Sequence, residues 1–164
     1  MKYKCTNCDL EEKVEWQIKT IALRFSDNYA PLEGTIKLHQ DVIYKFGYAW
    51  YGKFENSLSQ KNIDMLFKME EKKFLLIKSG CQERYWVYFE DIRKENININ
   101  AVPSYYRNDI KRIKCWFRIL EFEKVDSKVM SKCFVISNGA LLSNTSKYSM
   151  SPYFVIDCKE DFNE

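Results

Sequence analysis

At 164 residues the chain is close to the size of one domain and long enough to bury a hydrophobic core without disulfide staples. Apolar residues at 46% and charged residues at 30% exclude wholesale disorder, and a formal net charge of +3 excludes a polycation that coats nucleic acid through charge alone. No apolar run approaches the roughly 20 residues needed to cross a bilayer. Aromatic content is high at 16%, so some rings are expected to face a ligand while others form cross-strand pairs. The N-terminus, Met1-Lys2-Tyr3-Lys4-Cys5, has no apolar h-region of a secretory signal, and the six cysteines are therefore expected as thiols in a reducing, cytoplasmic setting.

Residues 1–13 read as a polar, cysteine-containing appendage, and 14–164 as a single α+β domain. From Val14 to Phe25 apolar and polar residues alternate, with an offset near Lys19-Thr20 that suggests a bulged strand. Pro31 and Gly34 mark a turn. Thr35 is placed to cap a helix whose apolar residues, Ile36, His39, Ile43 and Phe46, recur every three or four positions until Gly47 stops it. Tyr48 to Gly52 then reads as an aromatic turn, and Ser59 opens an amphipathic helix over 60–71.

The period changes to two from Lys73 to Lys78 and again from Arg84 to Ile92, which predicts a hairpin around Ser79-Gly80. Further strands are expected over 113–123, 133–137 and 153–158, with a loop over 138–150. Helices do not separate these later strands, so a curved antiparallel sheet or small β-barrel flanked by helices is expected.

Few motifs carry chemistry. Cys5-x-x-Cys8 has the spacing of half a zinc site, and zinc is the metal it would hold. Cys81, Cys115, Cys133 and Cys158 are isolated in sequence, and Cys115 falls in register with apolar neighbours as a core residue. His39 lies on a helical apolar stripe and reads as a packed histidine rather than a base. No nucleophile elbow, phosphate-binding glycine loop or HExxH motif occurs, so no enzymatic activity is expected. Glu90 and Asp91 would have to converge on a metal for a nucleotide-processing enzyme, but neighbours on a strand point to opposite faces.

The segment from Tyr105 to Arg118 mixes cations with rings: Tyr105, Tyr106, Arg107, Arg112, Lys114, Trp116 and Arg118 are the candidate ligand contacts, joined by Trp50 and Tyr51 from the aromatic turn. Rings stack on bases while Arg and Lys neutralise phosphates, a combination suited to an exposed nucleotide or flipped base. In strand register Lys114, Trp116 and Arg118 share the face opposite Cys115 and Phe117, which puts the Trp116 indole between two cations, away from the core. The alternative is a protein-interaction domain in which exposed aromatics and Arg anchor a polypeptide partner.

The opening strand around Trp16, the helix leading into Trp50-Tyr51-Gly52, the second helix, the hairpin over 74–92 and the basic aromatic stretch near Trp116 together resemble the PUA-like superfamily. Within it they resemble the EVE and YTH branch of modified-base readers. The resemblance spans residues 16–158. It implies a curved barrel that holds a flipped or modified base in an aromatic pocket, here assigned to Trp50, Tyr51 and Trp116, and a place as a specificity module in prokaryotic defence systems. The turn before the hairpin, Glu70-Glu71-Lys72-Lys73, lacks the Gly-Asp pair common in such domains.

Overall fold

A computed structural model of the protein describes residues 2–4, 11–13, 16–29, 32–54 and 57–160. Cys5 and Cys8, the expected half zinc site, lie outside the described residues. Strands β1 (Lys2–Lys4) and β2 (Glu11–Lys13) pair antiparallel as a separate ribbon.

The remaining strands form one open, mixed sheet of seven in the order β4-β7-β6-β5-β3-β9-β8, giving an α+β fold. They are β3 (Trp16–Phe25), β4 (Ala49–Gly52), β5 (Lys73–Lys78), β6 (Arg84–Arg93), β7 (Trp116–Val125), β8 (Cys133–Val135) and β9 (Tyr153–Glu160). Neighbours run antiparallel except β3 and β5, which are parallel. A parallel pair needs a long crossover. Here it consists of helix α1 (Thr35–Phe46), β4 and helix α2 (Gln60–Phe67), so the sheet is not purely antiparallel and does not close.

β3 carries no bulge in its pairing with β9: the register runs unbroken from Trp16↔Glu160 to Leu23↔Tyr153. The offset in its apolar pattern has a different cause. Thr20, Ile21, Ala22 and Leu23 are all buried because the sheet is covered on both sides. Ile21 and Leu23 face the main core beneath α1 and α2, whereas Ala22 faces a second core with Met130 and Leu142. These two residues come from a 3₁₀ helix (Ser127–Lys132) and from helix α3 (Leu142–Tyr148). α3 lies within the expected loop. Its seven residues, LSNTSKY, are mostly polar and have too little apolar periodicity to announce a helix.

Helix ends follow local chemistry. Gly34, not Thr35, is the N-cap of α1, and the Thr35 amide donates instead to Asp27 Oδ1 at 2.9 Å. Gly47 ends the helix as expected, at φ 84°, with its N–H on Ile43 O at 2.7 Å. Ser59 caps α2 by accepting the Asn62 amide. α2 stops at Phe67 rather than continuing to Glu71, in keeping with the unfavourable meeting of Glu70 and Glu71 with a helix C-terminus.

Two sequence expectations are corrected outright. Tyr48 to Gly52 is not a free turn: Ala49 to Gly52 are buried as edge strand β4, from Ala49↔Ile119 to Gly52↔Trp116. Cys133 and Cys158 are not isolated thiols, because the β8–β9 ladder sets them opposite each other and a disulfide joins them. No helix among the described residues is long and apolar enough to cross a membrane.

Candidate functional site

Residues 97–113 cover the exposed edge of β4. A bare strand edge offers unpaired N–H and C=O groups, and here Tyr106 answers one of them, its hydroxyl accepting the Gly52 amide at 3.1 Å. His39 Nδ1–H donates to the Thr35 carbonyl at 2.8 Å, which fixes the tautomer and leaves Nε2 to accept from the Tyr106 hydroxyl at 3.3 Å. Burial pushes the His39 imidazole down to about 4, despite that bond to Thr35. It also pushes the phenols of Tyr51, Tyr105 and Tyr106 above the ordinary tyrosine range. The cluster is therefore neutral at physiological pH.

Beside this cluster lies a pocket of about 220 Å³. It opens at the C-terminal ends of the parallel pair, where Ser79 N–H bonds Phe25 O at 2.8 Å, and next to the first turn of α1. Tyr51, Phe54, Tyr105 and Tyr106 give it aromatic walls, and Lys53 and Thr35 give it polar groups. Tyr105 and Tyr106 stack at 4.2 Å between centroids, and Phe54 stacks on Tyr106 at 5.6 Å. Lys53 is 4% exposed, with its ammonium 4.8 Å from the centre of the Tyr153 ring. Arg24 lines the pocket as well, but its guanidinium turns to the carbonyls of Ser146, Ser149 and Ser151 and staples the α3 segment instead.

The sequence-derived set divides over this geometry. Tyr51, Tyr105 and Tyr106 meet in the pocket. Trp116 does face away from Cys115 and Phe117, yet it is only 1% exposed, because Ala101, Val102, Tyr106 and Ile113 pack over it together with Trp50. The expected indole between two solvated cations is thus corrected: the 97–113 segment makes that side of the sheet a third small core. Arg107, Arg112 and Lys114 are exposed on the chain leaving the pocket wall, with Arg112 paired to Asp109 at 3.0 Å. Arg118 sits elsewhere, 3.9 Å over the Tyr48 ring and 2.9 Å from Glu90. A register shift between β6 and β7 leaves Glu90 between the pairs Phe89↔Ile119 and Asp91↔Arg118, and Asp91 bonds Arg93 at 2.9 Å. Both carboxylates are engaged with arginines.

Sequence reasoning missed Lys53, Phe54 and Thr35. Lys53-Phe54 immediately follows Trp50-Tyr51-Gly52 and was within reach of the aromatic signal, whereas Thr35 enters only through the tertiary approach of α1.

The Pua-like family model matches residues 21–160, from the second half of β3 to the end of β9. The chain belongs to the Pua-like family. No curated protein and no solved structure matches it. Membership of the Pua-like family suggests a nucleic-acid-binding module, and domains of this kind are generally binders rather than catalysts.

Proposed function

We propose that this Pua-like chain is a non-catalytic module that takes a base of a nucleic acid, or a nucleotide, into the pocket of Tyr51, Lys53, Phe54, Tyr105 and Tyr106. The observation that carries the reading is the convergence of four rings and a lysine on one opening. At about 220 Å³ it is smaller than the roughly 300–1,000 Å³ clefts that hold drug-sized ligands, and so suits a single planar group. Stacking and edge hydrogen bonds are how proteins hold an extruded base. Arg107, Arg112 and Lys114, exposed along the adjoining chain, would meet the flanking phosphates.

The likeness to the EVE and YTH branch extends the reading to a modified base and to a specificity role in a prokaryotic defence system. The test is a titration panel of single-stranded oligonucleotides, unmodified and modified, against the wild type and the Tyr105→Ala and Phe54→Ala variants. Each ring lost is expected to weaken binding by about 1–3 kcal/mol. Equal affinity in all three proteins would move the site away from this pocket. Absence of any binding at low salt would favour a polypeptide partner, although Trp50 and Trp116, two of the rings expected to anchor one, are buried.

A further inference from the structure

The opposite end of the sheet holds a second cleft, of about 510 Å³, within the roughly 300–1,000 Å³ range of small-molecule sites. It lies between the start of β5, the end of β9 and the 3₁₀ helix Ser127–Lys132. Among the described residues that line it, Lys73, Lys128, Lys132 and Lys159 stand against one carboxylate, Asp126. Asp126 already accepts the Lys128 amide at 2.8 Å. Trp86 lines it as well: the Lys73 ammonium stands 4.6 Å from the Trp86 ring centre, and Lys73 is 6% exposed.

Elements from three parts of the chain bring these cations together. Lys132 directly precedes Cys133 and Lys159 directly follows Cys158, so the Cys133–Cys158 disulfide holds both lysines to one covalent link. Lys128 is carried by the 3₁₀ helix that Asp126 caps, and Lys73 is anchored where its carbonyl accepts the Thr20 hydroxyl at 2.6 Å. Like charges gathered around a concave surface repel one another and raise the local concentration of anions. Ammonium groups serve phosphate as point charges with several donors each.

We infer that this cleft is a second binding site, for phosphate groups carried by a nucleotide or by the backbone of a nucleic-acid strand. It shares no lining residue with the aromatic pocket and lies near Ile18 at the other end of β3 from Phe25. Its occupancy does not depend on the base-binding reading.

The experiment is calorimetric titration of inorganic triphosphate, a nucleoside diphosphate and a short single-stranded oligonucleotide into three proteins. These are the wild type, Lys128→Ala/Lys132→Ala in the cleft, and Lys61→Ala on α2 with Lys68→Ala at its C-cap as a charge-matched control. All four substituted lysines are exposed, so the variants should fold, and thermal melts verify this. The cleft variant is expected to lose about tenfold or more in affinity for triphosphate, while the control stays within about twofold of wild type. If the cleft variant loses affinity for the diphosphate and the oligonucleotide alike, the site takes free nucleotides. If the loss is confined to the oligonucleotide and inorganic triphosphate, its ligand is a strand. Equal losses in the cleft and control variants, or no binding of any of the three ligands to the wild type, would overturn the proposal. Variants of Tyr105 or Phe54 report on the other pocket and would leave this outcome unmoved.

Discussion

Gly52 has no room for a side chain: a Cβ there would lie 2.7 Å from Trp116 Cζ3, 2.9 Å from Ile113 Cδ1 and 3.0 Å from Tyr106 Cε1. Gly52→Ala is therefore expected to destabilise the fold by about 1–3 kcal/mol, read as a lower urea midpoint. It should also weaken ligand binding, since the displaced Tyr106 is a wall of the pocket. Trp116→Ala tests the neighbouring core. With the indole buried, the expected loss is about 3–5 kcal/mol of stability, with unchanged affinity in the fraction that remains folded. His39 supplies the pH dependence. Its folded value, about 4, lies below the ordinary 6.5, so the unfolded chain binds the proton more tightly. The stabilisation is complete above about pH 6.5 and is lost as pH falls from there towards 4, amounting to about 3 kcal/mol. Urea melts across that window should show the slope in the wild type and not in His39→Gln. A flat wild-type profile would contradict the buried, neutral imidazole.

The element most dependent on a covalent link is β8, three residues long and at the sheet edge. The disulfide to β9 closes a loop with a sequence separation of 25. Replacing both cysteines by Ser should cost about 2–4 kcal/mol. Thiol labelling of the native wild type should find Cys81 far more readily than Cys115, which is buried. This pairing was beyond the reach of the sequence, because cysteines 25 positions apart become partners only when two strands choose each other in the ladder. By contrast, α1 with its Gly47 stop, the Ser59 cap and the β5–β6 hairpin were legible, since spacing and turn chemistry within a few residues determine them. Tyr48 to Gly52 shows where local reading fails. Four residues of strand are too short to show a period, and burial under the 97–113 segment is a tertiary event. The same burial explains why Trp116, which faces away from Cys115 and Phe117 as its register requires, is enclosed rather than open to solvent.

Across the whole molecule a formal charge of +3 conceals two separate concentrations of cations, one along 107–114 beside the aromatic pocket and one around the lysine cleft. Binding of a single strand should weaken with salt, by a factor set by about 0.7 counterions per neutralised phosphate. Arg107→Ala and Lys114→Ala are each expected to reduce that slope by about 0.7 while leaving base preference intact. The central claim, that a planar base enters the pocket, is tested most directly by mapping amide chemical-shift changes on adding a nucleoside, which has no phosphate to draw it to the lysine cleft. The account predicts saturable shifts centred on Lys53, Phe54, Thr35 and Tyr105. Shifts confined to other surfaces, or none at saturating nucleoside, would contradict it.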